Sequence, residues 1–233
     1  MERRTRSAVA MGTSAEDFSL AHPMEGPGYQ AAVGELSKLT AEAKVLEIQQ
    51  REGIITERSG GAVRRELMDR MRTVHLPHLT HSASRAEREQ PDLARQFRFT
   101  PTSDSLSARR AAAASMVDAA QTHQEVLGRD GMDGSVLEDL VQALAEFDAA
   151  GERCIAGRVA HVGASARLRA VGQEIVKLVR VLDGLNRVRF KDDEALLAQW
   201  ASMSSVRASP KGGPVEEPEG ASPPAAEVTR PAA

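Results

Sequence analysis

Six apolar residues in the C-terminal half of the chain follow one another at alternating steps of three and four. They are Leu168, Val171, Ile175, Leu178, Leu182 and Leu185. This spacing places the side chains in a continuous line on one side of an α-helix, which is the arrangement by which helices pair. We therefore predict an all-α fold, an antiparallel bundle of four to five long helices with disordered termini.

The composition agrees with a helical core and argues against several classes of ligand. Aromatic residues make up only 3% of the 233 residues, so the core has to be built from Leu, Val, Met and Ala, which suits closely spaced helices. The formal charge of −3 provides no overall attraction to nucleic acid or anionic lipid. Although Arg predominates among the basic residues, it is spread along the chain, and we predict no nucleic-acid partner.

The lack of targeting signals in the sequence and the single cysteine favour a soluble cytoplasmic protein. Cys154 is the single cysteine, so no internal disulfide can form, and this fits a reducing compartment. The N-terminus has no apolar run typical of a signal peptide. No stretch approaches the roughly 20 apolar residues of a membrane span, so we expect no membrane association.

The chain divides by composition into three parts. Residues 1–26 mix charged residues with Ser, Gly and Pro without a period, and residues 207–233 are rich in Pro, Gly and Ala. Both parts have too few bulky apolar groups to offset the entropy lost on ordering, so we predict disorder. The helical bundle domain is predicted over 27–206.

The first half of that domain reads as two helices. Helix 1 is predicted over 27–57, with Pro27 in its first turn, and the Gly60-Gly61 pair is expected to end it. Helix 2 follows, and Pro77 is expected to kink or divide it. A crossover loop is predicted over 91–104, with Phe97 and Phe99 packed against the end of the bundle.

The second half begins with helix 3, predicted over 104–128. Ser135 and Glu138 have the spacing of a capping box, so helix 4 is expected to begin there. A short last helix is predicted after Asp192 or Asp193, either of which could cap it.

The glycine-containing sequence at 163–165 leaves two arrangements open. A hairpin there would give two helices of about 25 residues, roughly 37 Å each, and we favour it because equal lengths suit an antiparallel bundle. One continuous helix over 135–189 would require a dimer or a long two-part bundle that helices 1 and 2 also join.

Gly151, Gly157 and Gly163 recur every six residues. This spacing does not place them on one face of a helix, so we infer no close-packing motif from them.

Four segments carry a resemblance to a known group of proteins: HQEVLGRDGM (123–132), GRVAHVGASARLRAVG (157–172), VKLVRVLDGL (176–185) and DDEALLAQW (192–200). In these segments the chain resembles uncharacterised bacterial helical-bundle proteins with no assigned function. The resemblance covers the C-terminal half. It implies a helical bundle and transfers no functional residue.

The candidate metal site is built from histidines on two helices. His75, His78 and His81 follow one another at steps of three along one helix. A bundle with alternating helix directions would bring His161 of another helix to the depth of His78. The site is predicted to use His75, His78 and His161, whereas His123 would lie at the opposite end. The competing interpretation is that these are satisfied polar residues near a helix end, because Pro77 disturbs the turn that would align them.

The sequence lacks the motifs of common enzyme classes. It has no phosphate-binding loop, no dinucleotide fingerprint and no nucleophile elbow, and Cys154 lies too far from His161 on a straight helix to form a dyad. We therefore predict no catalytic residues and no cofactor, and a structural or adaptor-like role with a protein partner or self-association. The alternative is a bundle that holds a metal ion or a small apolar ligand in its interior.

Overall fold

The computed structural model describes residues 3–205, and within this range every regular element is a helix. The all-α prediction is confirmed. The tail predicted to be disordered, 207–233, lies outside the described residues. The helices are α1 (Arg3–Ala21), α2 (Pro27–Arg70), a π-helix (Met71–His75), α3 (Leu76–Ala86), α4 (Leu93–Gln96), α5 (Leu106–Thr122), α6 (Gln124–Arg129), α7 (Gly134–Arg189) and α8 (Glu194–Ser204).

Helix α7 continues through Gly163 without a break. Its 56 residues span about 84 Å at 1.5 Å per residue. The hairpin predicted at 163–165 is therefore wrong. A single glycine costs a helix only about 1 kcal/mol relative to alanine, and the packing of α7 on both sides of Gly163 outweighs that cost. The companion surface for the long helix comes from the chain itself, because α2 lies along it.

Helix α2 continues through the Gly60-Gly61 pair, so the predicted separation of helix 1 (27–57) from helix 2 is also wrong. Gly60 is buried against α7, where a Cβ would lie 2.8 Å from the carbonyl oxygen of Ala150. Glycine occupies this position because the two helices approach closely there, and not because a helix ends.

The π-helix lies directly before Pro77. Proline has no N–H group and cannot donate to the carbonyl four residues earlier, and its ring also crowds that carbonyl. Here the N–H group of Leu76 donates to the carbonyl oxygen of Met71, five residues back. The disturbance predicted at Pro77 takes the form of this single wide turn, after which α3 continues the helical path to Ala86.

Within the N-terminal segment predicted to be disordered, 1–26, the described residues 3–26 are ordered, because α1 forms and packs. The Glu16 carboxylate connects α1 to α2 by accepting hydrogen bonds from Ser37 at 2.5 Å and Thr40 at 2.6 Å. The buried residues of α1 are Thr5, Ala8, Val9, Met11, Gly12, Ala15, Phe18 and Ser19. They repeat at helical spacing, but most are small, so their pattern is weak in the sequence.

Helix boundaries in the second half differ in detail from the prediction. Helix 3, predicted over 104–128, is divided into α5 and α6 at His123. The N-cap of α7 is Asp133, whose carboxylate accepts from the Ser135 N–H group at 3.0 Å. The predicted capping box of Ser135 and Glu138 does not form, since Ser135 already lies inside the helix. Hydrogen bonds from the backbone and hydroxyl of Ser135 lower the pKa of the Asp133 carboxyl.

Two local predictions are confirmed. Asp193 caps α8 by accepting from the Leu196 N–H group at 3.0 Å. Phe97, in the predicted crossover loop, is fully buried, and Phe99 packs against the same core.

The buried apolar residues form two separate cores. Core A contains residues of α1, the N-terminal part of α2, the C-terminal part of α7 and α8. Core B contains residues from the end of α2, the π-helix, α3 to α6 and the N-terminal part of α7. The predicted seam lies in core A, where Leu168, Val171, Ile175 and Leu182 are buried, Leu178 is partly buried and Leu185 is exposed. Among residues 3–205, the two long helices alone connect the two cores.

Candidate functional site: the middle segment of the two long helices

We call the region between the cores the middle segment: residues 47–66 of α2 and 149–166 of α7, which include no member of either core. Here the backbones of the two helices touch. A Cβ on Gly157 would lie 2.5 Å from the backbone nitrogen of Glu57, and one on Gly53 would lie 2.7 Å from the backbone nitrogen of His161. Gly60 faces Ala150, so the helices run in opposite directions. No larger residue fits at these contacts without separating the helices.

Polar side chains fill the rest of the interface. The Gln50 side chain donates to the Ser165 hydroxyl at 2.5 Å, and a ring nitrogen of His161 lies 2.7 Å from a carboxylate oxygen of Glu57. Both pairs are only partly buried. Hydrogen bonds of this kind fix the register of two helices more than they add stability. The middle segment is thus held by close contact and polar pairing rather than by an apolar core.

The outer face of α7 in the middle segment is apolar and exposed. Ile155 is 66% exposed, Val159 67% and Val162 53%. The spacing i, i+4, i+7 places these three side chains on one face of the helix. We call them the α7 stripe. Ala156 and Ala166 are exposed beside it, and the exposed carboxylate of Glu152 lies at its edge.

Helix α2 also exposes apolar side chains in the middle segment. Ile48 and Ile55 are each 57% exposed and lie seven residues apart, on one face of the helix. Isoleucine is among the residues most often buried in folded proteins. Exposed Ile and Val side chains on both helices therefore mark the middle segment as a surface that lacks a packing partner within residues 3–205.

Two arginine–carboxylate pairs flank the middle segment. Arg110 of α5 donates from Nη2 to Asp148 at 2.6 Å and from Nε at 3.1 Å, while Arg167 donates to Glu42 at 2.7 Å. The hydrogen bonds to Asp148 and Glu42 raise the pKa values of Arg110 and Arg167, respectively. Because each pair joins two helices, the pairs hold the ends of the middle segment in place.

The structure does not bring together the histidines of the predicted metal site. His161 lies opposite Gly53, which precedes His75 by 22 residues. His161 and His75 are therefore separated by about 33 Å along the helix. His75 is buried in the π-helix with Nδ1 unpartnered, and His78 Nε2 accepts from the Asp133 N–H group at 3.4 Å. In the described part of the chain, no group of three His, Cys, Asp or Glu residues could hold a metal ion.

The cysteine and the remaining histidines are also apart from one another. Cys154 is half-buried against Gly60, while His161 is engaged by Glu57. His81 is exposed on α3, and His123 lies at the junction of α5 and α6. None of these side chains pairs with another in a way that would activate a nucleophile.

The middle segment was missed at the level of the sequence, although a signal for it exists. Along α2 the residues that face α7 follow steps of three and four, but they are polar or small: Gln50, Gly53, Glu57 and Gly60. On α7 the corresponding residues are Ala150, Cys154, Gly157, His161 and Ala164. A search for apolar residues alone does not find this seam, whereas a search for small residues at heptad spacing would.

Comparisons of this chain with protein-family models, curated proteins and solved structures find no match. None of the helices within residues 3–205 combines the length and hydropathy needed to cross a bilayer.

Proposed function

We propose that this protein is a non-enzymatic interaction protein, in which the middle segment of an elongated pair of helices binds a protein partner. The observation that carries the proposal is the α7 stripe. Three large apolar side chains lie side by side on α7 between the two cores, where no further helix of residues 3–205 packs. Contiguous exposed apolar surface of this kind is typical of interaction sites.

The energetics favour a contact of moderate strength. Full burial of a Val or Ile side chain contributes about 1.5–3 kcal/mol, or roughly 5–9 kcal/mol for the three residues of the α7 stripe. Association costs about 4–15 kcal/mol in translational, rotational and side-chain freedom. The α7 stripe alone therefore supports only transient binding.

The close contact between the two helices favours a partner on the outside over a ligand in the interior. The alternative considered from the sequence, a metal ion or apolar ligand inside the bundle, requires space between the helices. In the middle segment that space is taken up by the backbones of Gly53 and Gly157. The exposed apolar groups point outward, which suits a partner that packs on the outside.

Site-specific photocrosslinking tests the proposal. A photoreactive amino acid at Val159 is expected to form a discrete adduct, with a partner in producing cells or with a second copy in purified protein. The matched control is the same amino acid at Val141, which is 40% exposed on α7 outside the middle segment and whose neighbours Leu137 and Leu144 are buried. The Val159 adduct should disappear when Ile155→Glu and Val162→Glu are introduced, since two charges oppose burial of the stripe.

Circular dichroism of the double variant shows whether the helices persist, as expected for exposed positions. Equal adduct yields at Val159 and Val141, or a Val159 adduct that the two charges leave unchanged, would contradict the proposed role.

A further inference from the structure

A basic groove lies between α1 and α7, at the end of the molecule that contains core A. Its charged lining consists of Arg4, Arg169, Lys177 and Arg180, and none of the described residues that line it is acidic. The floor is formed by small and apolar residues, among them Ala8 and Gly172. Four positively charged side chains along one shallow groove favour a ligand that carries several carboxylates or other anionic groups.

Three of the four cations are available for such an occupant. Arg4, Lys177 and Arg180 are exposed, and none of them takes part in the ion pairs formed within residues 3–205. Like charges along one groove repel one another, and an anionic occupant would remove this repulsion. The floor also allows the backbone of an extended segment to approach closely.

The chain leads toward this groove. Helix α8 runs back along α7, because Trp200 donates from Nε1 to Asp183 at 2.9 Å and Ser205 shares a pocket with Val176 and Arg180. Val176 and Arg180 also line the basic groove. The described chain therefore ends directly beside one end of the groove and heads along it.

The residues that follow Ser205 contain a matching acidic segment. Residues 215–219 read VEEPE and carry three carboxylates, Glu216, Glu217 and Glu219. Ten residues separate Ser205 from Glu216 and can span up to about 36 Å. The groove extends along α7 from Arg169 to Arg180, or about 17 Å. The acidic segment can therefore reach every basic side chain of the groove.

We propose that residues 215–219 of this same chain bind in the groove between α1 and α7, with their carboxylates paired to Arg4, Lys177 and Arg180. Attachment to α8 keeps the segment near the groove, which raises its effective concentration and allows weak individual ion pairs to hold it. The inference is independent of the proposed function, because the groove and the α7 stripe are different surfaces.

Distance measurement between two spin labels tests this inference. In a Cys154→Ser background, labels are placed at Val181→Cys, beside the groove, and Gly220→Cys, beside the acidic segment. At low salt a narrow peak within about 25 Å is expected, because the groove itself is only about 17 Å long. The variant Arg4→Glu, Lys177→Glu, Arg180→Glu should broaden and lengthen the distribution, as should Glu216→Gln, Glu217→Gln, Glu219→Gln, which leaves the folded core untouched.

Two controls make the result specific. Arg51→Glu, Arg58→Glu, Arg65→Glu changes the net charge equally on exposed positions of α2, and it should leave the peak unchanged. Adding Glu216→Lys, Glu217→Lys and Glu219→Lys to the groove variant should restore the narrow peak. A distribution that is the same in parent, groove and tail variants would overturn the proposal. So would a peak that vanishes on dilution with excess unlabelled protein, since the segment would then bind a second copy.

Discussion

Glycines that look alike in the sequence have opposite roles in α7. Gly157 is buried against the backbone of α2, and a Cβ there would meet Glu57 and Gly53, whereas Gly163 has no atom within 4 Å of such a Cβ. Only the first position requires the absence of a side chain. The second merely tolerates glycine at a cost in helix propensity.

The substitution Gly157→Ala should destabilise the protein, because the two helices have to separate to admit a methyl group between rigid backbones. The expected loss in free energy of unfolding is about 1–3 kcal/mol. The matched change Gly163→Ala should stabilise it by about 0.5–1 kcal/mol through helix propensity. Urea denaturation followed by circular dichroism measures both. If Gly157→Ala proved as stable as Gly163→Ala, the backbone contact in the middle segment would not exist.

At the scale of the elements, the continuity of α7 has a direct test. Spin labels at Ala145→Cys and Val181→Cys, both exposed positions in a Cys154→Ser background, should lie about 54 Å apart along one helix of 36 intervening steps. A turn at 163–165 would bring the same positions side by side, because they are equidistant from it. Double electron–electron resonance distinguishes the two results, and a short distance would refute the continuous helix.

The sequence predicted the helices better than their boundaries. Apolar periodicity located the seam that includes Leu168 and Ile175, and cap chemistry located the start of α8 at Asp192 or Asp193, of which Asp193 is the cap. Glycine was misread, since Gly60 and Gly163 were taken as helix ends. Glycine lowers helix propensity by about 1 kcal/mol, but in the structure packing decides whether it ends a helix or allows two helices to approach, and the sequence does not show the packing partner.

The candidate site was the least predictable part for a related reason. The proposed interaction surface is exposed because no other helix of residues 3–205 covers it, and this depends on where the remaining helices pack. Val159 follows the same local pattern as a core residue. Only the arrangement of the two cores shows that it faces outward.

At the scale of the whole molecule, the separation of core A from core B predicts two steps of unfolding. The two cores share no residue and are connected by a segment with little apolar burial. Cooperativity between regions arises from shared packing, so regions without it unfold with their own free energies.

This prediction uses Trp200, the only tryptophan, which is buried in core A. Leu140→Ala in core B should cost about 2–5 kcal/mol and lower the midpoint of the helical transition seen by circular dichroism. The fluorescence transition of Trp200 should stay in place. Ile175→Ala in core A should shift the fluorescence transition instead. If each substitution moved both transitions equally, the molecule would unfold as one cooperative unit.

The return of α8 along α7 brings the first and last described residues close together, since Arg6 of α1 and Ser205 line one pocket. Two domains joined directly to Arg3 and to Ser205 would consequently be held next to each other, so this fold could serve as a short clamp between two attached modules.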